Sequence, residues 1–353
     1  MRAYGGYIVL IGIGVLVAIY VAFQSFFTSF GFDLPKDEEQ VGMEDQIVIK
    51  FSHVVAENTP KGLAASRFAD LVDEYTDHRV KIEVYPNQSL YSDHEEIKAL
   101  QKNKVQMIAP TTSKITNMSE KWMLLDLPYI FPTDEALQEA LNGEVGDELL
   151  NHLHEVDIKG LAFWSNNFKQ ITSNDPIRHP EDFAGKNFRI MPSPVLESQF
   201  RQFGASTSRL DFNDTFKSLE IKNTDSQENT ISNIYSKKLY EVQKYLTISN
   251  HGYLGYVVMM NQSFWEELPV DIQQQIQRAM DDTTAWLWDK SKEMNENQLH
   301  EIEQKSNIEI YTLSEKERKE WMEAMTDIYP EFESTIGKDL LDKMERLRDK
   351  YIE

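Results

Sequence analysis

The stretch "KNFRIMPSPVLESQF" (186–200) sets Arg189 inside an apolar strand pattern, just ahead of two prolines and a helix. A guanidinium keeps its charge when desolvated, so a buried one needs an anionic partner. Either a nearby carboxylate supplies it, or the partner comes from outside the chain. The eight histidines raise the separate question of a metal, and "NHLHE" (151–155) comes nearest to a ligand pattern. His152 and His154 are two residues apart, which on a helix turns them to different faces, so no metal site is expected. The chain has neither a G-x-x-x-x-G-K-[ST] loop, nor a strand-borne G-x-G-x-x-G, nor a G-x-S-x-G elbow. Its carboxylates are plentiful but scattered, and no pair is singled out for acid–base work. No cofactor and no catalytic residue is therefore assigned.

Elements able to bury Arg189 require a sizeable core, and 353 residues with 41% hydrophobic and 11% aromatic content supply enough for two domains. The 58 acidic against 36 basic residues, a net charge of -22, argue against a nucleic-acid partner, which needs basic patches. Cysteine is absent, which removes disulfides, thiolate nucleophiles and cysteine-based zinc sites. The run "YIVLIGIGVLVAIYVAF" (7–23) is apolar throughout, and no charge falls between Arg2 and Asp33. Such a span can cross a bilayer as a helix. A cleaved signal peptide would have a shorter apolar core and a small-x-small site, which "VAFQSFFTSF" matches poorly. Residues 1–32 are thus expected to be an uncleaved membrane anchor and 33–45 a charged tether, with everything beyond outside the cytoplasm.

Alternating patterns predict strands at 46–54, 79–86, 105–110, 158–165, 186–192, 208–212 and 253–261. Thr59 and Pro60 open a predicted helix with Ala64, Phe68, Leu71, Val72 and Tyr75 on one face. Further helices are expected near 94–103, 194–204, 212–223 and from Pro269 for more than about thirty residues, with a polar turn at 224–229. Ser314 and Glu317 form a capping box ahead of another helix. The β-α-β order predicts an α/β protein with a mostly parallel sheet in two lobes around a cleft. The lobes are expected at 46–167 and 168–254, with a crossing strand and long bracing helix at 255–305 and C-terminal helices at 306–353.

Several stretches, in order, resemble the solute-binding proteins of TRAP (tripartite ATP-independent periplasmic) transporters, nearest to the dicarboxylate-binding subgroup. They are "FSHVVAENTPKG" (51–62), "VYPNQSLYSDHEEIKALQ" (84–101), "LDLPYIFP" (125–132), residues 163–200 and 224–256, and "NQSFWEELP" (261–269). The resemblance implies a two-lobed periplasmic-binding-protein-like fold that closes on an organic anion without making or breaking a bond. It also implies a two-subunit permease, driven by an ion gradient, that receives the ligand. Output to a membrane sensor kinase is the alternative. The expected ligand is a small dicarboxylate such as succinate, fumarate or malate.

On this resemblance Arg189 holds a ligand carboxylate, and its fork of parallel N–H groups suits that task. Lys169, in "NNFKQ", is expected to compensate a second carboxylate. Asn229, which closes "SQEN", is expected to donate its amide to the ligand. Asn167, Ser226 and Thr230 stand where the family often has Gly, Gly and Pro. Lys61, in the first turn of a helix, is a further candidate. Thr111, Ser193 and Tyr253 complete the expected ligand contacts, each near a strand end. His53 and His251 read as structural.

Overall fold

The computed structural model describes residues 46–352. The expected anchor (1–32) and the tether (33–45) lie outside them, and among the described residues no helix is long and apolar enough to cross a membrane. The first local signals resolve as their chemistry dictates. Thr59 caps the helix Pro60–Tyr75, its hydroxyl accepting from the Gly62 N–H at 3.2 Å, and Pro60 occupies the first turn where no N–H is missed. Ala64, Phe68 and Val72, spaced by four, form the buried face.

Among the described residues nine strands make one sheet: β1 (Ile47–Ser52), β2 (Val80–Tyr85), β3 (Met107–Ile108), β4 (Ile158–Ser173), β5 (Asn187–Ile190), β6 (Ser206–Arg209), β7 (Ser226–Asn229), β8 (Tyr245–Asn261) and β9 (Glu309–Thr312). Their order is β2-β1-β3-β8-β4-β7-β5-β6, with β9 added to β8. One half, β2-β1-β3, is parallel, and so is the other, β7-β5-β6. The halves are joined by β4 and β8, two long antiparallel strands that run through both. The sheet is therefore mixed rather than mostly parallel, because β3–β8, β4–β8 and β4–β7 are all antiparallel.

Three expectations are corrected here. The strand expected to end at Ser165 continues to Ser173, and the one expected to begin at Tyr253 begins at Tyr245. Polar residues in the added segments (Lys169, Gln170, Asn250 and His251) break the apolar signal, yet all bond within the sheet. Gln170 accepts from the N–H groups of Ser249 and Asn250 and donates to Asn250 Oδ1 at 2.6 Å. The third correction is residues 226–229, expected in a polar turn and found as a wholly buried strand. Burial of four polar side chains is tolerable where partners exist, and Gln227 donates to Thr172 at 2.8 Å.

Asn167 has φ 73° and Asn250 φ 47°, and the β4–β8 register shifts between Ser165 and Phe168 and again between Lys169 and Ile171. Both asparagines take the left-handed conformation that the residue tolerates better than most. Asn167, standing where the family often has glycine, thus adopts a glycine-compatible backbone. Thr230 has φ -73°, a value that proline would also take.

The helix Val270–Lys305, 36 residues long, lies against both halves of the sheet. Tyr75 donates to Asp282 at 2.8 Å and Trp164 Nε1 to Thr284 at 3.2 Å on one side, and Ser232 N–H donates to Asn295 Oδ1 at 2.9 Å on the other. The expected capping box is present, with Ser314 and Glu317 each satisfying the other's backbone N–H, and it opens the helix Glu315–Met325. Helices Tyr329–Ile336 and Lys338–Ile352 close the chain.

Candidate functional site

Parallel strands that end together leave their last residues, and the loops behind them, pointing into the space beyond the sheet edge. A cavity occupies that place between the two halves. Val54 and Val55 follow β1 and Thr111 follows β3. Met191 and Pro192 follow β5, Leu210–Phe212 follow β6, and Asn229 ends β7. Leu254 and Tyr256, from the middle of β8, complete the lining between them. The space between atoms, mouth included, is about 570 Å³, within the range of small-ligand sites.

Arg189 reaches this cavity from β5 and is 3% exposed. Its Nε and Nη2 both donate to the Leu210 carbonyl, at 3.0 and 2.7 Å, which fixes the plane of the guanidinium. Its other three N–H groups have no protein acceptor among the described residues. No carboxylate of those residues lies within salt-bridge distance either. Burial pulls the guanidinium below its ordinary pKa, and only the more distant charges of Asp93, Glu228 and Asp211 oppose that. A local acid is therefore not its partner, and the open end of the fork suits two carboxylate oxygens.

Two neighbours are arranged to donate. Asn229 Oδ1 accepts from the Thr230 N–H at 3.1 Å and from Asn233 Nδ2 at 2.7 Å, so its own NH2 is the group left without a partner among the described residues. Thr111 Oγ1 is buried with no partner among the described residues, an arrangement that is costly unless something fills it.

The other expected residues lie elsewhere. Lys169 does not line the cavity: its Nζ donates to Glu228 Oε1 at 2.7 Å, while His251 Nε2 lies 2.9 Å from Glu228 Oε2 and His251 Nδ1 2.7 Å from Ser249 Oγ. All three residues of this β4–β7–β8 cluster are 0–1% exposed. Burial alone would raise the Glu228 carboxyl, yet Lys169 and His251 together hold it down to about 2. Burial also lowers His251, with Glu228 pulling the other way. The second cation expected at Lys169 is thus already neutralised within the sheet.

Lys61 is likewise behind the cavity wall. Its Nζ donates to the Ala109 carbonyl at 2.8 Å and sits 3.9 Å from the centre of the Tyr256 ring. Burial lowers Lys61 and raises Glu96, and each partly offsets the other. Ser193 is the buried N-cap residue of the helix Pro194–Arg201, and Tyr253 packs edge-on against Phe131 at 5.6 Å; neither lines the cavity. His53 is held neutral, burial and then Lys61 lowering it to about 3.

Residues that sequence reasoning passed over do reach the cavity. Lys114 pairs with Asp93 there, and His94 lies 3.1 Å from Asp211 at the rim. Burial, then Asp93, raises the Asp211 carboxyl, opposed by Lys114 and His94. The available signal was position: Lys114 falls three residues beyond Thr111, and Asp211 two beyond the end of β6.

Comparison with known proteins agrees with this architecture. Residues 51–335 match the family model of the bacterial extracellular solute-binding proteins, family 7 (DctP). A C4-dicarboxylate-binding protein of Bacillus subtilis, DctB, is 48% identical over 336 residues, 95% of each chain. A TRAP periplasmic solute-binding protein of Sulfurospirillum deleyianum, solved with bound succinate, superposes with a TM-score of 0.81 at 40% identity, covering 86% of this chain and 99% of its own. One from Pseudomonas aeruginosa, solved with bound L-malate, gives 0.79 at 35% identity, covering 81% and 99%. With its crossing strands, interlobe cavity and matched length, the chain belongs to the extracellular solute-binding protein family 7, the TRAP solute receptors, which bind their ligand without transforming it.

Proposed function

We propose that this protein receives a C4-dicarboxylate of the succinate or malate type in the interlobe cavity and passes it to an ion-driven TRAP permease. The observation that carries the proposal is Arg189, a buried cation whose free N–H groups open on the cavity and which has no carboxylate partner among the described residues. An incoming carboxylate completes it, and desolvation inside a closed cleft strengthens that pair. The Asn229 amide and the Thr111 hydroxyl donate beside it. Related receptors hold succinate and L-malate, which supports the ligand class.

In this proposal residues 46–167 and 168–254 are the lobes, braced by 255–305, and they hinge near Asn167 and Asn250. Ligand favours the closed form because both lobes contact it. Residues 1–32 anchor the receptor outside the cytoplasm, which membrane fractionation of the intact chain tests. No observation favours a sensor-kinase output over transport. Calorimetry of the full-length chain against a panel of organic acids tests the ligand assignment. Dicarboxylate binding near micromolar, about -8 kcal/mol, is expected, and failure of every mono- and dicarboxylate sinks the proposal.

A further inference from the structure

On the reading that the ligand is a dicarboxylate, Arg189 accounts for one carboxylate and leaves the other uncompensated. Lys169 and Lys61 do not supply the second cation, since one is bonded to Glu228 and the other to the Ala109 carbonyl behind the Tyr256 ring. Besides Arg189, the cationic side chains that line the cavity are Lys114 and Arg209, with His94 at the rim. The Arg209 side chain is 53% exposed and bonded to Glu197, and an ion pair so open to water is worth little. Lys114 is 11% exposed and its partner Asp93 only 4%.

We infer that Lys114 receives the distal carboxylate of the ligand, and that Asp93 holds the ammonium in position for it. Three features of the geometry support this. Lys114 stands on the short helix Thr112–Ile115 behind β3, in the half of the sheet opposite β5 and Arg189, so the two cations address the cavity from different lobes. The ammonium donates to the Asp93 carbonyl at 3.2 Å and pairs with its carboxylate, which leaves its third N–H without a protein acceptor among the described residues. Thr111, the N-cap residue of that helix, lines the same cavity with a buried hydroxyl that has no partner among the described residues, a further donor on the Lys114 side.

Asp93 gives the pair its selectivity. A lone carboxylate approaching Lys114 meets the Asp93 charge as well and gains little. A carboxylate whose other end is already held by Arg189 arrives at high effective concentration and can share the ammonium. Lys114 therefore discriminates between ligands with one charged end and ligands with two.

The experiment compares succinate with succinamate, its monoamide, which has the same length and a neutral far end. Calorimetry of the full-length protein is expected to show wild type preferring succinate by about 100-fold. In Lys114→Met that preference falls to within about 3-fold, through weaker succinate binding and nearly unchanged succinamate binding. Because Lys114→Met leaves Asp93 unpaired, the double variant Lys114→Met/Asp93→Asn, with no stranded charge, is measured alongside and is expected to show the same loss of preference. A preference that persists in the double variant overturns the role of Lys114 while leaving the dicarboxylate reading intact. Wild type that binds no dicarboxylate overturns both.

Discussion

Arg189 and Lys169 are buried cations in the same sheet, on β5 and β4 with only β7 between them. Lys169 touches a carboxylate at 2.7 Å, and that carboxylate touches an imidazole at 2.9 Å. Among the described residues Arg189 donates to one carbonyl alone, and three of its N–H groups are left without an acceptor beside a cavity. Desolvation opposes both charges, and internal pairing relieves it for one of them alone. On the proposed function the difference separates framework from receptor: the complete buried charge ties strands together, and the incomplete one takes its partner from outside.

Breaking the incomplete member should cost affinity rather than stability. Arg189→Ala is expected to weaken succinate binding about 1,000-fold, roughly 4 kcal/mol, in calorimetry. Its melting temperature should stay within a few degrees of wild type, since an unpaired charge is removed. A protein that melts far lower yet binds normally would invert the comparison. Arg189→Lys should also bind poorly, because it loses the fork.

Breaking the complete member should do the reverse. Lys169→Met leaves Glu228 charged and alone, and chemical denaturation should show a loss of about 3 kcal/mol. Lys169→Met/Glu228→Gln, which strands nothing, should recover most of that loss. A selective fall in dicarboxylate over monocarboxylate affinity in Lys169→Met, at unchanged stability, would return Lys169 to the ligand.

Acid sharpens the same contrast. Glu228 titrates near 2 when folded, below its ordinary 4.5, so its contribution is present above about pH 4.5 and is lost as the pH falls towards about 2. His251 and His53, both lowered from 6.5, add a loss that begins below their ordinary value, because the unfolded chain takes up their protons first. Urea midpoints should therefore drop with acid, and less steeply below about pH 4.5 in the Lys169→Met/Glu228→Gln variant. Equal slopes would show that the cluster is not the acid-sensitive element.

The smallest effect concerns Asn167, at the register shift in β4 two residues before Lys169. Asn167→Gly should change stability by less than about 1 kcal/mol and leave affinity unaltered, because the backbone already takes a conformation glycine accepts. Asn167→Val, β-branched at φ 73°, should cost more.

Arg189 was legible early because a cation inside "NFRIM" is an anomaly that physics must resolve, and the strand starts at Ile47 and Val80 followed plain alternation. The continuation of β4 past Ser165 and the start of β8 at Tyr245 were hidden by polar residues that read as loop until their partners, 59 and 80 positions away, are known. For the same reason β7 looked like a turn. Lys169 and Lys61 carried the right charge for a ligand, but nothing local to them reveals Glu228 or the Ala109 carbonyl. Lys114 and Asp93 are 21 residues apart, and only the fold makes them a pair.

The helix Val270–Lys305 carries a mechanical consequence. At about 1.5 Å per residue it is a rod of roughly 54 Å, bonded to the Tyr75 side of the molecule at Asp282 and to Ser232 at Asn295. A rod pinned at two inner points, beside a sheet that is continuous across the cleft, resists twisting and sliding of one half on the other. Either motion would break the pins. If the halves close about the hinge proposed near Asn167 and Asn250, the mouth passes through a narrow family of outlines, and the proposed permease would read occupancy from shape alone, without touching the ligand.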